Sequence, residues 1–278
     1  MTIDAHLHLW DLDVSDYAWL GPQHGPLHRS FGPDEAAREL RSSGIEAAVL
    51  VQAEDSLADT GWLLDVARTH DWVLGVVGWV PLDRPDQAAT ALAELDEPAL
   101  RGVRHLIHDD PRAATFLGLA EVRESLRLVA ERGLVLDVPD AWPTHLDAVG
   151  DLADDLPGLT IVVDHLAKPP WGTAAMSGWA ASLRAVAQRP NVVAKVSGLA
   201  GAEPYTAATL RPVLDTALDA FGAHRLMYGG DWPMATARHD YAGALGPIAE
   251  LVSALSPQEQ AEIRRATALR VYGRVRHD

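Results

Sequence analysis

The sequence predicts an α/β protein folded as a single TIM-like (β/α)8 barrel over residues 1–278. Three observations predict it: eight short apolar runs alternate with helical segments, polar clusters close the first and last runs, and no early glycine-rich phosphate turn is present. The runs lie around residues 2–6, 45–51, 73–80, 101–106, 134–138, 160–164, 192–197 and 225–229. Their starts are roughly 26 to 43 residues apart, which leaves room for a crossover helix after each. Val49-Leu50-Val51, Leu134-Val135-Leu136 and Ile161-Val162-Val163 are almost continuously apolar, as strands covered on both faces should be.

The intervening segments carry helical periodicity. Leu119, Val122, Leu126 and Val129 recur at three- and four-residue steps before Gly133, a residue suited to the left-handed position that ends a helix. Tyr241, Leu245, Ile248, Val252 and Leu255 repeat that spacing. Ser56 with Asp59 reads as a helix start, and Ser256-Pro257-Gln258-Glu259 as a capping box with proline at the first helical position. An open doubly wound sheet would alternate in the same way. The segment after the first run, however, is His6-Leu7-His8-Leu9-Trp10-Asp11, whose bulky side chains prevent the close backbone approach of a dinucleotide-binding turn. Residues 11–33 read as a loop over the catalytic end.

With 278 residues, 48% of them hydrophobic, the chain can bury one large core. A net charge of -16 without a basic block argues against nucleic acid or an anionic membrane as partner. The absence of cysteine removes disulfides, thiol nucleophiles and thiolate-held metals. With no leader-like start and no long uncharged apolar run, a cytoplasmic protein is expected. Nothing in the sequence fixes an oligomeric state.

In a closed barrel the first and last strands are neighbours, so His6, His8 and Asp231 should share one pocket. His6 and His8, two residues apart at a strand end, can point to one face and converge on a ligand. Asp231 is the expected general base, able to take a proton from an attacking water and return it to a leaving oxygen. His165, after the sixth run, can bind a metal or donate a hydrogen bond to a carbonyl on which charge is growing. Arg104 can clamp an oxygen-rich ligand with its planar fork, with His105 beside it and His108 near the entrance. The two lysines of the chain, Lys168 and Lys195, both fall at strand ends, where substrate contact and a buried carboxylate pair are alternative uses. Trp10, Trp19, Trp142, Trp171 and Trp232 fall in loops or strand ends and could cover the apolar face of a sugar ring, Trp232 first among them because it adjoins Asp231.

Five motifs in order, Asp4-Ala5-His6-Leu7-His8-Leu9-Trp10, Gly102-Val103-Arg104-His105, Asp164-His165-Leu166-Ala167-Lys168-Pro169, Lys195-Val196-Ser197-Gly198-Leu199 and Gly229-Gly230-Asp231-Trp232-Pro233, give the chain a resemblance to the amidohydrolase superfamily. The branch it resembles holds sugar lactonases and 2-pyrone-4,6-dicarboxylate lactonase; its last motif commonly has serine where Gly230 stands. The resemblance implies hydrolysis of a sugar-acid lactone to the open hydroxy acid. A pyrone-dicarboxylate lactonase, a metal-dependent decarboxylase and, outside catalysis, a sugar-acid binding protein are the alternatives. It also implies His6, His8, Asp231 and His165 as metal-ligand positions. The binuclear form of the superfamily adds a lysine or glutamate after strand four and a histidine after strand five, where this chain has Gly102-Val103-Arg104-His105 and Leu136-Asp137-Val138. One divalent ion, zinc or manganese, or a metal-independent reaction is therefore expected.

Overall fold

The computed structural model describes residues 1–273; residues 274–278, part of the expected single domain, lie outside the described residues. Eight strands, β1 (Ile3–Leu7), β2 (Ala47–Val51), β3 (Val73–Gly78), β4 (Leu100–Arg104), β5 (Val135–Val138), β6 (Ile161–Val163), β7 (Val192–Val196) and β8 (Leu226–Tyr228), form one sheet in sequential order. Every consecutive pair is parallel. The ring nearly closes through a parallel bridge between Leu7 and Trp232 just beyond β8, where His8 N–H donates to Trp232 O (2.7 Å) and Asp231 N–H to His6 O (2.9 Å). These bonds set the first and last polar clusters side by side.

Seven crossover helices and an eighth after the last strand cover the outside: α1 (Pro33–Ser42), α2 (Leu57–Thr69), α3 (Pro85–Glu94), α4 (Ala120–Glu131), α5 (Leu146–Asp155), α6 (Met176–Val186), α7 (Ala207–Phe221) and α8 (Tyr241–Ser253). Gly133 (φ 66°) follows α4 in the left-handed region, as its position after the apolar pattern predicts. The Ser56 side chain caps α2 by accepting from Ala58 N–H and Asp59 N–H. The Ser256–Glu259 capping box forms with Pro257 in the first turn, and it starts a new helix, α9 (Pro257–Ala261). Consequently α8 stops at Ser253, short of the periodic Leu255. A π-helical turn (Glu262–Ala266) and α10 (Thr267–Tyr272) complete the described chain.

Apolar side chains sort into two bodies. The larger fills the layer between strands and helices, with Leu50, Leu136, Leu183 and Ile248. The smaller lines the barrel interior with Ile3, Val49, Val77, Val162 and Met227, and Tyr272 of α10 joins it. Above it the interior changes character: Arg104, Asp137, Asp164 and Lys195 are buried polar groups at the carboxyl ends of β4 to β7. No helix among the described residues is long and apolar enough to cross a membrane.

Candidate active site

His6 reaches the interior because β1 is irregular. Its pairing with β2 shifts register between Asp4 and Leu7, and such a bulge re-aims the side chains that follow it. Ala5 packs in the interior core, yet its neighbour His6 also meets interior partners. Asp4 anchors the irregularity: one carboxylate oxygen accepts from His6 N–H (2.8 Å) and Gly230 N–H (3.0 Å), and the other from the Tyr241 hydroxyl. A Cβ at Gly230 would collide with the Tyr241 ring and the Asp4 carboxylate, so the serine common at this position of the motif does not fit this packing.

The result is a convergence of donor atoms. His6 Nε2 and His8 Nε2 lie 3.0 Å apart, and Asp231 Oδ1 lies 3.8 Å from the first and 3.6 Å from the second. Asp231 takes φ 56°, a left-handed conformation that aspartate tolerates better than most residues. His8 Nδ1–H donates to Val51 O (2.8 Å), leaving the Nε2 lone pair directed at the cluster. Burial holds both imidazoles below their usual pKa, His6 the further because Lys195 stands beside it. Burial opposes ionisation of Asp231, but His165, then His8 and His6, outweigh it and keep its carboxyl well below the ordinary range. Neutral nitrogens and an ionised carboxylate, with ligand atoms within 4.8 Å of one another, are a donor set that suits one divalent ion such as zinc.

His165 approaches from β6. Its Nε2 lies 3.9 Å from Asp231 Oδ1, and its Nδ1 is 2.9 Å from Ser197 Oγ. The residue begins a turn in which four consecutive residues, His165, Leu166, Ala167 and Lys168, have φ between 50° and 59°. Such a turn costs roughly 1–2 kcal/mol per residue, and it is held by Trp179 Nε1–H donating to Leu166 O (2.8 Å). Gly198 (φ 61°) faces the imidazole so closely that any Cβ there would overlap Nδ1. The turn and the glycine together fix the ring.

A sealed layer lies on the other side of His6. Lys195 Nζ is 2.5 Å from Asp137 Oδ2, 3.1 Å from Asp164 Oδ1 and 3.0 Å from His6 Nδ1, and all four side chains are fully buried. Tyr272 donates its hydroxyl to Asp137 (2.8 Å to Oδ1) from the far side. Burial raises the Asp137 pKa; Asp164, beside Lys195 and His6, is held well below the usual carboxylate range despite its burial. This corrects the expectation for Lys195: it is the buried partner of two carboxylates, and its ammonium has no exposed surface with which to touch substrate. His6, Asp137 and Asp164 form a second potential ligand trio, but the ammonium already fills it. That accords with one divalent ion rather than two.

The open side of the cluster faces a cavity of about 270 Å³ lined by His8, His165 and Asp231. Arg104 also lines it, donating Nη2–H to Gln52 O (2.6 Å) and lying 3.6 Å from Asp164. Lys168, from the left-handed turn, lines the wall with Asp140, to which it donates (2.7 Å); His108 and Asp109 stand nearby. Trp10 and Trp19 form the aromatic wall, so the loop 11–33 does cover this end, tied down by Tyr17 donating to Asp59 (2.7 Å). Two expected contacts fall elsewhere. Trp232 is buried edge-on against Phe31 (5.3 Å) beneath the cavity, because its backbone is used to close the barrel. His105 stacks on Phe116 (4.2 Å) and lies 3.0 Å from Asp55, in an adjoining depression.

Sequence reasoning passed over Asp4, Asp140, Asp164 and Tyr272. Asp164 had a signal, since it immediately precedes His165 within a motif. Tyr272 had none, because only the folded chain brings α10 under the barrel.

Comparison with known proteins agrees with this geometry. Residues 3–274 match the family model described as amidohydrolase. The chain is 34% identical over 236 residues to an L-fucono-1,5-lactonase of Burkholderia ambifaria, covering 84% of this chain and 80% of the relative. It is 32% identical over 289 residues to an L-fucono-1,5-lactonase of Burkholderia multivorans, covering 98% and 96%. A crystal structure of an amidohydrolase from Burkholderia multivorans with bound zinc superposes with a TM-score of 0.88 at 32% identity, covering 98% of this chain and 99% of that one. Barrel, motifs and relatives coincide over nearly the whole length, and the chain belongs to the amidohydrolase family.

Proposed function

We propose that this protein hydrolyses a sugar-acid lactone, of which L-fucono-1,5-lactone is the first candidate, to the open hydroxy acid. The observation that carries the reading is the convergence of His6, His8, His165 and an ionised Asp231, the last three opening to a cavity walled by Trp10 and Trp19. Likeness to two L-fucono-1,5-lactonases supports the substrate class.

In this reading His6, His8 and Asp231 would hold one divalent ion, zinc or manganese, which when bound would supply Lewis acidity toward water and carbonyl. Asp231 accepts a proton from water as its oxygen adds to the lactone carbonyl carbon. Ser197 donates to His165 Nδ1, so that His165 Nε2–H points into the cavity and donates to the carbonyl oxygen as negative charge grows there. The bond from the carbonyl carbon to the ring oxygen then breaks, and Asp231 returns its proton to that oxygen. Trp10 and Trp19 cover the apolar face of the sugar ring, while Arg104 and the Lys168–Asp140 pair bond its hydroxyls. A pyrone dicarboxylate, or the carboxylate substrate of a decarboxylase, is a poorer match: Asp109, Asp140 and Asp231 line the same cavity, so Arg104 and Lys168 do not make it cationic.

On the same footing we take residues 1–278 as one barrel domain working in the cytoplasm on a small-molecule lactone. The net charge of -16 argues against nucleic acid as a partner. The test is acid release from purified protein and L-fucono-1,5-lactone in a pH-indicator assay, with spontaneous opening subtracted and the assay repeated after chelation and zinc or manganese readdition. Acid release matching lactone loss is expected. Ligand binding without consumption would favour a sugar-acid binding protein, and carbon dioxide release a decarboxylase. An unchanged rate in metal-free protein would assign the polarising role to the histidines alone.

A further inference from the structure

His6 touches both polar layers, and its two nitrogens cannot both carry a proton while it is neutral. On the cavity side, His6 Nε2 is 3.0 Å from His8 Nε2, whose own Nδ1–H is committed to Val51 O. His8 Nε2 is thus an acceptor, and the contact is a hydrogen bond when His6 carries its proton on Nε2. On the sealed side, His6 Nδ1 then accepts from Lys195 Nζ at 3.0 Å. Asp164 is less well served: both of its carboxylate oxygens are buried and neither accepts a well-aligned hydrogen bond, although Lys195 Nζ lies 3.1 Å from Oδ1. Yet Asp164 Oδ1 lies 3.3 Å from the same His6 Nδ1. A buried carboxylate short of well-aligned donors is costly; Lys195 Nζ stands 3.1 Å from Oδ1, and His6 in its other tautomer would add a second donor to the same oxygen.

We infer that Lys195 and Asp164 are alternative partners of His6 Nδ1, and that together they let His6 exchange tautomers when an ion binds. This rests on the reading of His6 as a metal ligand. Without an ion, Lys195 donates to Nδ1 and Nε2–H donates to His8. For His6 to offer Nε2 as a ligand, the proton must leave Nε2 for Nδ1, where it is donated to Asp164; Lys195 then keeps Asp137 and Asp164 as its acceptors. The proton count of His6 does not change, so the exchange releases no proton. Both states have partners already in place within the sealed layer, and Lys195 and Asp164 act as positioning residues rather than catalytic ones.

The direct test uses the unmodified protein: two-bond ¹H–¹⁵N spectra of the histidine rings in metal-free protein, and again with one equivalent of zinc. The expected result is His6 protonated on Nε2 before zinc and on Nδ1, with Nε2 ligated, after it. His6 protonated on Nδ1 before zinc, with ligation at Nε2 intact, would overturn the exchange while leaving the metal reading standing; ring shifts unmoved by zinc would overturn both. Zinc affinity, measured by competition with a chromophoric chelator, provides a second readout. Asp164→Asn should weaken binding about 10- to 100-fold, whereas Lys195→Met, which removes the donor that favours the metal-free tautomer, should not weaken it. Equal weakening in both variants would reduce Lys195 and Asp164 to a common structural support and reject the exchange.

Discussion

The two polar layers that meet at His6 are both built from ionisable side chains and are put to opposite uses. Above it, His8, His165 and Asp231 share one side with a cavity, and their atoms stand 3.6 to 3.9 Å apart, wide enough for something to come between. Below it, Asp137, Asp164 and Lys195 are sealed, with Lys195 Nζ at 2.5 Å from its nearer carboxylate. An open layer of groups held slightly apart can take a ligand; a closed layer of matched charges holds itself. The contrast teaches that access to the cavity, together with whether the charges are already matched, separates chemistry from support in this barrel.

The largest effect should come from breaking the closed layer. Lys195→Met leaves two buried carboxylates short of a cation and should cost about 3–5 kcal/mol of stability, read as a drop in the urea midpoint. A loss under about 1 kcal/mol would mean that water or rearrangement supplies the missing partner, and the layer would not be closed at all.

In the open layer the effect should fall on turnover instead. Asp231→Asn should lower the lactone hydrolysis rate at least about 100-fold with its circular dichroism spectrum intact, because an amide cannot take the proton of water. A folded variant at near wild-type rate would remove Asp231 from the role of base.

A smaller effect concerns the seam under the open layer. Burial raises the Asp4 carboxyl to about 6, against partial opposition from its hydrogen bonds. The folded state therefore holds a proton that the unfolded chain has released, and the stability contributed by Asp4 is lost as pH rises from about 4 to about 6. Asp4→Asn cannot titrate and should flatten that slope by up to about 1.4 kcal/mol per pH unit, measured from unfolding midpoints at both ends of the window. An identical slope in the variant would show Asp4 to be ionised throughout.

The smallest effect is assigned to the outer wall of the cavity. Lys168 is well exposed and paired with Asp140, so Lys168→Met should raise KM about threefold to tenfold with little change in kcat, the signature of lost uniform binding. A fall in kcat without a change in KM would move Lys168 from the wall into the reaction itself.

Much of this was legible in the residues alone. The eight strands follow from apolar runs of the right length, the Ser256–Glu259 box from its side-chain chemistry, and the pairing of His6 and His8 with Asp231 from the adjacency of first and last strands. These are local patterns, or consequences of one closure rule. The fate of Lys195 was not legible, because a lysine at a strand end looks the same whether its ammonium lies in the cavity or one layer below it. Depth is set by the alternation and stagger of eight strands together. Trp232 and His105 misled for a related reason: closeness in sequence to Asp231 or Arg104 does not give closeness in space once the backbone turns.

By itself the sequence determined the order of elements, the barrel and the identity of the groups at its carboxyl end, since periodicity and composition act over a few residues. Only the tertiary structure decided which of those groups open to the cavity and which are sealed, that Trp10 and Trp19 rather than Trp232 face the ligand space, and that Tyr272 closes the polar layer from below. Those outcomes depend on distances across the barrel between residues separated by as many as 237 positions, as Asp4 and Tyr241 are, and such distances exist only after the ring has closed.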